Sequence, residues 1–413
     1  MSFLLTRDNP DATLRCGPRF WRGRYDGDDL LLETWTEGGK PKVTRKAFPD
    51  EMDRWQALNK ALDKAQKLGF ILHRDPNIVK IGTAIFDAQV GDRANLFDVS
   101  PSGARLVVAT HKPKAEGFDL RLIDVATGER HGIHSEKPTL PAGGAAQTFV
   151  LDVRFGTSET AVFYILKSSQ GVETRRIDLA IGATEVLASY EDGDGSFMGH
   201  LRPVQGSRAH FLCLDKGGEV HLRDGDSGAS LRRVAVGSGV APMCANVALS
   251  RSGHRFALLV LPPAHPGKIH VYDFESGVRI ATQVLDVDMN IPELMGFFPD
   301  ETRLLVSAAY GRVLSVLDPA AGTVERHSFQ DCGFGSGNPE NVLCHAFSPD
   351  GSHLALGGRT PFLVRHDDWK PETTIESALE VTGLINVVHL EFSADGRWLF
   401  AGGSGQHISA FKL

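Results

Sequence analysis

The stretches HAFSPDGSHLALGG (residues 345–358) and LEFSADGRWLFAGG (residues 390–403) are two copies of one pattern. Each consists of an apolar strand, a Ser-x-Asp-Gly turn and a second strand in which apolar residues alternate. The turn residues are Asp350 and Gly351 in the first copy, and Asp395 and Gly396 in the second. Two short strands joined by a tight turn are the unit of an antiparallel sheet, so the pattern predicts β structure.

Five weaker copies precede these two, and those around Phe155 and Val204 have lost most of the turn motif. We take the last apolar residue before each turn as the anchor of a repeat. The anchors are Val99, Phe155, Val204, Leu249, Phe297, Phe347 and Phe392. They are separated by 56, 49, 45, 48, 50 and 45 residues. A period of about 40 to 50 residues that contains several short strands is typical of the blades of a β-propeller.

A second motif follows each of the first five anchors by 20 to 25 residues. It is an alternating strand that ends in Asp, with Gly four residues later. We expect the Asp side chain to cap a tight turn and the Gly to supply a positive φ. The pairs are Asp124 and Gly128, Asp178 and Gly182, Asp224 and Gly228, Asp273 and Gly277, and Asp318 and Gly322. The sixth repeat has LVRHDDWK instead.

Residues 76–413 resemble WD-repeat and related bacterial propellers, although the Trp-Asp dipeptide and the Gly-His pair of the strict WD pattern are absent. The resemblance and the seven anchors imply a mainly β fold, a seven-bladed β-propeller. The last repeat has room for only three strands before Leu413. We therefore expect the segment 78–86 (IVKIGTAIF) to supply the missing strand and close the ring.

Residues 1–75 follow a different pattern, which predicts a small α+β domain. Three strand-like pieces are separated at DGDD and EGGKP, and a helical segment follows. Within it, Trp55, Leu58 and Leu62 have helical spacing. Asp50 is the expected N-cap and Gly69 the expected C-terminal stop.

This order resembles the WGR domain, which is named for a Trp-Gly-Arg motif and occurs in DNA-dependent poly(ADP-ribose) polymerases and in many bacterial proteins. The matching features are the Phe-Trp pair at residues 20–21, Trp35, the turn at Gly39, the basic strand with Phe48, and Lys67-x-Gly69-Phe70. At the central motif the chain reads Trp35-Thr36-Glu37. The resemblance implies contacts with DNA ends or partner domains through the family's Trp and Arg, of which only Trp35 is retained.

A candidate partner or nucleic-acid surface follows from the basic residues of this domain. They are Lys42, Arg45, Lys46, Lys60, Lys64 and Lys67, beside Trp35. Together they could bind phosphate groups. The alternative, which the sequence favours, is a solvated helix face for the lysines and a core role for Trp21, Trp35 and Trp55.

Charge and cysteine content limit the alternatives. The chain of 413 residues has a net charge of −7. Residues 1–75 contain 14 Lys and Arg against 12 Asp and Glu, and the remainder 30 against 39, so only the N-terminal part has a positive balance. Five cysteines are scattered without a CxxC pair, which favours reduced thiols and a cytoplasmic protein. No long apolar run or signal-peptide core is present, so we expect no membrane span.

The sequence offers only weak candidates for a catalytic or metal-binding site. His and acidic residues near the first strands of the repeats could ring a metal ion in the channel, as in some propeller hydrolases and lactonases. They are Asp152, His200, Asn246, Glu293, His345 and His389. Their offsets from the anchors differ, so alternation prevents all of them from pointing inward, and only Asp152, Asn246 and His389 share one offset. GFGSG (residues 333–337) and GGSGQ (residues 402–406) match neither a nucleophile elbow nor a phosphate-binding loop.

The sequence therefore predicts a monomeric, non-enzymatic interaction scaffold without a metal or cofactor, which binds protein partners through the faces of a propeller. Two alternatives stay open. One is a nucleic-acid-associated adaptor that binds weakly through the WGR-like domain. The other, less favoured, is a metal-dependent propeller enzyme.

Overall fold

The structure is a computed structural model. It describes residues 12–75, 77, 79–91, 96–111, 117–137, 148–168, 171–190, 203–204, 207–214, 218–237, 244–261, 266–285, 294–308, 313–328, 342–358, 361–365, 369, 371–374, 387–403 and 405–413.

Six antiparallel sheets of four strands follow one another along the chain and form the blades of a β-propeller. Blade 1 contains β7 (Phe97–Val99), β8 (Arg105–His111), β9 (Phe118–Asp124) and β10 (Arg130–Glu136). Blade 2 contains β11 (Phe149–Phe155), β12 (Ala161–Ser168), β13 (Gly171–Asp178) and β14 (Thr184–Tyr190). Blade 3 contains β15 (Pro203–Val204), β16 (Ser207–Leu214), β17 (Glu219–Asp224) and β18 (Ser230–Ala235).

The next three blades have the same order. Blade 4 contains β19 (Cys244–Leu249), β20 (Arg255–Val260), β21 (Lys268–Asp273) and β22 (Arg279–Val284). Blade 5 contains β23 (Met295–Phe297), β24 (Leu304–Ala308), β25 (Val313–Asp318) and β26 (Thr323–Ser328). Blade 6 contains β27 (Cys344–Phe347), β28 (His353–Gly357), β29 (Phe362–Arg365) and β30 (Pro371–Thr374).

A nine-stranded sheet joins the two ends of the described chain. The closing quartet consists of β31 (Val387–Phe392), β32 (Trp398–Gly403), β33 (His407–Lys412) and β6 (Ala84–Gln89). The N-terminal unit contains β1 (Ala12–Cys16), β2 (Arg19–Asp26), β3 (Asp29–Thr36), β4 (Lys42–Ala47), the helix α1 (Glu51–Lys67) and β5 (Ile71–His73). The strand order in this sheet is β31-β32-β33-β6-β5-β1-β2-β3-β4. The sheet passes from one group to the other without interruption, because β5 pairs with β6.

The closing strand lies later in the sequence than we predicted. It begins at Ala84, and its pairing with β33 aligns Ala88 with Ile408. The preceding turn is tied to the last strand, because the Gly82 N–H donates to the Lys412 carbonyl over 2.8 Å. Residue 78 lies outside the described residues. The prediction was therefore right about the partner of β33 and wrong about the bounds of the strand.

The helix α1 covers one face of the N-terminal sheet. The Asp50 carboxylate caps it by accepting hydrogen bonds from the Met52 and Asp53 N–H groups, as predicted. Leu58 and Leu62 are fully buried on the sheet side. They belong to a core cluster that extends through the N-terminal unit into the closing quartet and blade 6, as far as Leu363. The N-terminal unit and the ring therefore share apolar packing as well as a sheet.

The turns between the first and second strands and between the third and fourth strands lie at the same end of each blade. Contacts join such turns in neighbouring blades, for example between Ser102 of blade 1 and Glu159 of blade 2, and between Ser252 of blade 4 and Glu301 of blade 5. We call this end the turn face. Among the described residues, no helix combines the length and apolarity that a membrane crossing requires.

Candidate interaction surfaces

Glycine and aspartate define the turn face as the repeat predicts. Gly351 and Gly396 have φ angles of 76° and 70°, in the left-handed region that only glycine adopts without strain. The Asp350 carboxylate accepts hydrogen bonds from the Ser348 hydroxyl and from the Ser352 N–H and hydroxyl. These bonds lower the pKa of Asp350 to about 2. The carboxylate therefore stays ionised and its turn stays closed at neutral pH.

The second turns of blades 1 to 5 follow the same rule. Their glycines have φ between 68° and 72°, and each glycine N–H donates to the carbonyl of the Asp four residues earlier. The Asp side chains accept N–H groups inside their turns, as Asp124 does from Thr127 over 2.7 Å. Residues 366–368 of the sixth repeat lie outside the described residues, and there Trp369 stands in the place of the glycine with φ of 56°.

Two glutamates replace glycine in the first turns of blades 2 and 5. Glu159 and Glu301 have φ of 59° and 58°. Each reaches back to the preceding blade: the Glu159 carboxylate accepts the Ser102 N–H and pairs with Arg105, and the Glu301 carboxylate accepts the N–H and hydroxyl of Ser252. The backbone strain at each glutamate is thereby offset by hydrogen bonds that its charged carboxylate accepts from the neighbouring blade. The repeat pattern did not predict this role, although both residues stand four places after an anchor, where other repeats have glycine.

A cavity of about 270 Å³ opens on the turn face where the ring meets the N-terminal unit. Its walls are the first turns of blade 1 and of the closing quartet, the start of the second turn of blade 1 at Val125 and Ala126, and His73 of β5. Trp398, which is half-buried, supplies an aromatic wall. The N-terminal unit contributes the wall at His73 and the ring contributes the others, so the cavity has all its walls only when the unit is docked on the ring.

The polar groups at the cavity are largely engaged with one another. Arg397 Nε donates to Asp395 over 2.6 Å, and the Ser393 hydroxyl donates to the same carboxylate over 2.6 Å. Burial, assisted by the charge of Arg15, lowers the pKa of His73, so its imidazole is neutral at pH 7. The cavity is therefore suited to an uncharged, largely apolar side chain with a hydrogen-bonding group near His73.

The predicted basic surface is divided by the geometry of the N-terminal sheet. Strand β4 is an edge strand whose residues are all exposed. Successive side chains of a strand point to opposite faces, so Lys42 and Lys46 lie on one face and Arg45 on the other. Lys60, Lys64 and Lys67 are exposed on α1, where Lys67 pairs with Asp63 over 2.7 Å. The structure thus does not bring the seven predicted residues onto one face.

Trp35 lies on the sheet face that α1 leaves uncovered. It is half-buried and stacks on Phe20, with ring centroids 5.3 Å apart and planes 10° from parallel. The Arg15 guanidinium lies over the Phe20 ring at 5.3 Å and also faces Glu37 at 3.8 Å. Arg45 pairs with Asp26 and Asp29. The cations on this face are therefore balanced by nearby carboxylates.

The core interpretation holds for only one of the three tryptophans. Trp21 is 7% exposed and packs in the core beneath α1. Trp35 and Trp55 are both half-buried. Strand alternation explains the difference between Trp21 and Trp35, because they occupy opposite faces of the sheet.

The channel residues with a shared offset have a structural explanation. Asp152, Asn246 and His389 each follow a register shift in the first strand of their sheet. Asp152 and Asn246 accept the next residue's N–H with their own side-chain oxygen, at 2.8 and 2.9 Å. His389 packs against Phe97, with ring centroids 4.5 Å apart. A β-bulge repeated in three sheets thus accounts for the offset.

The remaining members of the predicted ring are dispersed or not described. His345 is buried and packs against Gly296, where a Cβ would collide with its imidazole. His200 and Glu293 lie outside the described residues, as do residues 333–337. Among the residues that the structure describes, no group of three or more His, Cys, Asp or Glu side chains could hold a metal ion.

Comparison with known proteins supports the architecture. No protein-family model matches the chain, and no curated protein does. A chain from the solved structure titled "Crystal Structure of Mitotic Checkpoint Complex" is similar with a TM-score of 0.56 at 13% sequence identity, and the match covers 82% of this chain and 95% of that chain. An identity this low concerns the fold alone. The fold that the sheets and this likeness define is a β-propeller.

Proposed function

We propose that the protein is a non-enzymatic interaction scaffold, a seven-bladed ring in which the closing quartet is the seventh blade. The N-terminal unit is a WGR-like domain that has become part of this ring. The partner is a protein, and it binds on the turn face. The scaffold acts by presenting a fixed surface.

One observation carries this proposal: the cavity on the turn face is built jointly by the ring and the N-terminal unit. The unit packs closely against blade 1, because the Gly17 N–H donates to the Thr127 carbonyl over 2.8 Å and a Cβ at Gly128 would lie 2.7 Å from Ile71. Concave sites at the junction of two units are preferred binding sites. Trp398 is the kind of side chain that dominates binding energy in protein interfaces.

Site-specific photo-crosslinking tests this proposal. A photoreactive phenylalanine analogue at Ala394, which lines the cavity, should capture a protein partner in extracts of the native cell. The same analogue at Val284 is the matched control, since that residue is 49% exposed but lies at the outer edge of blade 4.

The cavity itself is tested by combining the Ala394 probe with Ala126→Trp, which fills the space without removing a polar group. We expect the adduct to be lost in the filled variant and to persist when the extract is treated with nuclease. Equal adducts from Ala394 and Val284, or an adduct unaffected by Ala126→Trp, would contradict the proposed binding site. An adduct that disappears with nuclease treatment would favour the nucleic-acid-associated adaptor.

A further inference from the structure

The Asp87 carboxylate lies at the seam where the ring closes and where the N-terminal unit joins it. Asp87 is fully buried on β6, the strand between β33 and β5 in the nine-stranded sheet. Leu72 of β5 is paired with it on one side, and Ser409 of β33 on the other. A buried carboxylate in a sheet is costly unless several donors satisfy it.

Three donors converge on this carboxylate, each from an element of the seam. Gln66 Nε2 of α1 donates to Oδ2 over 2.7 Å, and His407 Nδ1 donates to the same oxygen over 3.0 Å. The Ser409 hydroxyl donates to Oδ1 over 2.6 Å. Gln66 and Ser409 are fully buried and His407 is 5% exposed. Only one donor, Gln66, belongs to the N-terminal unit, whereas two belong to the last strand.

We propose that Asp87 and its three donors form a lock that makes ring closure and docking of the N-terminal unit a single cooperative event. One joint is the pairing of β6 with β33, which closes the ring, and the other is the docking of the N-terminal unit on β6. If either joint opens alone, the carboxylate stays buried with an incomplete set of donors, which costs more than the loss of an ordinary hydrogen bond. The two joints therefore open together. An N-terminal unit attached only through a flexible linker would open alone.

The lock also controls the geometry of the turn-face cavity. His73, one of its walls, lies on β5 next to Leu72, the residue paired with Asp87. Opening of the seam would separate this wall from Trp398. This consequence rests on the proposed function, whereas the lock itself does not depend on any partner.

Hydrogen exchange followed by mass spectrometry tests the lock in the full chain without a partner. Asp87→Asn removes the charged acceptor of all three hydrogen bonds. The rate of amide hydrogen exchange should therefore rise about tenfold or more at both joints, in α1 and β5 on one side and in β33 on the other. Asp98→Asn is the matched control. Asp98 is 2% exposed, and its carboxylate accepts the Phe155 N–H over 2.6 Å between blades 1 and 2. This control should raise exchange around β7 and β11 and leave the seam protected.

Faster exchange in only one of the two joints of Asp87→Asn, or in neither, would overturn the proposal. If that variant does not fold, Gln66→Leu provides the decision, because it removes the donor of the helix and leaves the last strand intact. A lock predicts that β33, which carries no substitution, also exchanges faster in Gln66→Leu. Faster exchange confined to α1 would show two independent joints.

Discussion

At the scale of single residues, the turn glycines differ in how closely the neighbouring blade approaches them. A Cβ at Gly351 would lie 2.7 Å from the Pro299 Cβ, whereas a Cβ at Gly396 would have Pro349 Cδ as its nearest neighbour at 3.5 Å. Both positions have positive φ, so alanine is strained at either. Of these two positions, only Gly351 would also bring the alanine methyl group into collision with Pro299, in the first turn of blade 5.

We expect Gly396→Ala to lower the free energy of unfolding by about 1 kcal/mol, and Gly351→Ala to lower it by about 1 kcal/mol more. Urea denaturation monitored by tryptophan fluorescence measures both values. Equal destabilisation by the two substitutions would show that the collision with Pro299 is relieved by a small movement of the turn.

The Ser-x-Asp-Gly motif predicted these turns because the local preferences of its residues specify the geometry. The Asp side chain caps the turn, and the Gly adopts positive φ. The same reasoning did not find Glu159 and Glu301. Glutamate is disfavoured at positive φ, so a rule based on local preference assigns it no role there. Its value comes from a carboxylate link to the preceding blade, and such a contact between blades is not encoded in the local sequence.

At the scale of elements, the strand β4 and the turn after β3 determine what the N-terminal sheet can bind. Strand alternation alone separates Lys42 and Lys46 from Arg45, and this division was available from the sequence once β4 was recognised as a strand. The pairing of Glu37 with Arg15 could not be predicted from the sequence, because Glu37 directly follows β3 and Arg15 lies on β1, and the register of these strands depends on the whole sheet.

Glu37→Arg is the variant that tests the nucleic-acid alternative. It removes a carboxylate beside Arg15 and adds a cation next to the stacked Phe20 and Trp35 rings. If this face retains any affinity for DNA, the variant should bind duplex DNA more tightly than the wild type. The dependence on salt should steepen by roughly one phosphate contact. Fluorescence anisotropy over a salt series measures both effects. Unchanged weak binding would remove nucleic acid as the ligand of this face.

The last strand carries a predicted pH dependence through His407. Burial opposes its charged form, but the Asp87 carboxylate in contact with it outweighs burial and raises the pKa of His407, with Asp63 acting in the same direction. The pKa in the folded state lies above that of the unfolded chain, so the stabilisation is complete below about pH 6.5. It is lost as the pH rises through the folded-state value.

The stability difference between wild type and His407→Gln should therefore shrink as the pH rises from about 6 to 9. Chemical denaturation at a series of pH values measures this difference. His131, which is exposed and pairs with Glu129 at 3.9 Å, provides the control position, and His131→Gln should show no comparable trend. A difference that is constant or grows with pH would mean that His407 is neutral in the folded protein.

At the scale of the whole molecule, the repeat period and the number of anchors predicted a propeller, because a regular recurrence of short strands leaves few other architectures. The incomplete last repeat also predicted that an N-terminal segment pairs with the last strand. The Asp87 lock could not be predicted. A single Asp in an apolar strand gives no signal of its partners, and three donors from two distant parts of the chain meet there only after the ring has closed.

Ring closure through the N-terminal strand is the central claim, and a register-specific disulfide tests it most directly. Ala88 and Ile408 are direct partners across β6 and β33, and both are fully buried. We predict that Ala88→Cys with Ile408→Cys forms a disulfide on mild oxidation, which peptide mapping by mass spectrometry identifies. The matched pair, Ala88→Cys with Ala410→Cys, should not, because Ala410 is paired with Phe86. No disulfide in the first pair, or equal yields in both pairs, would contradict closure by β6 in this register.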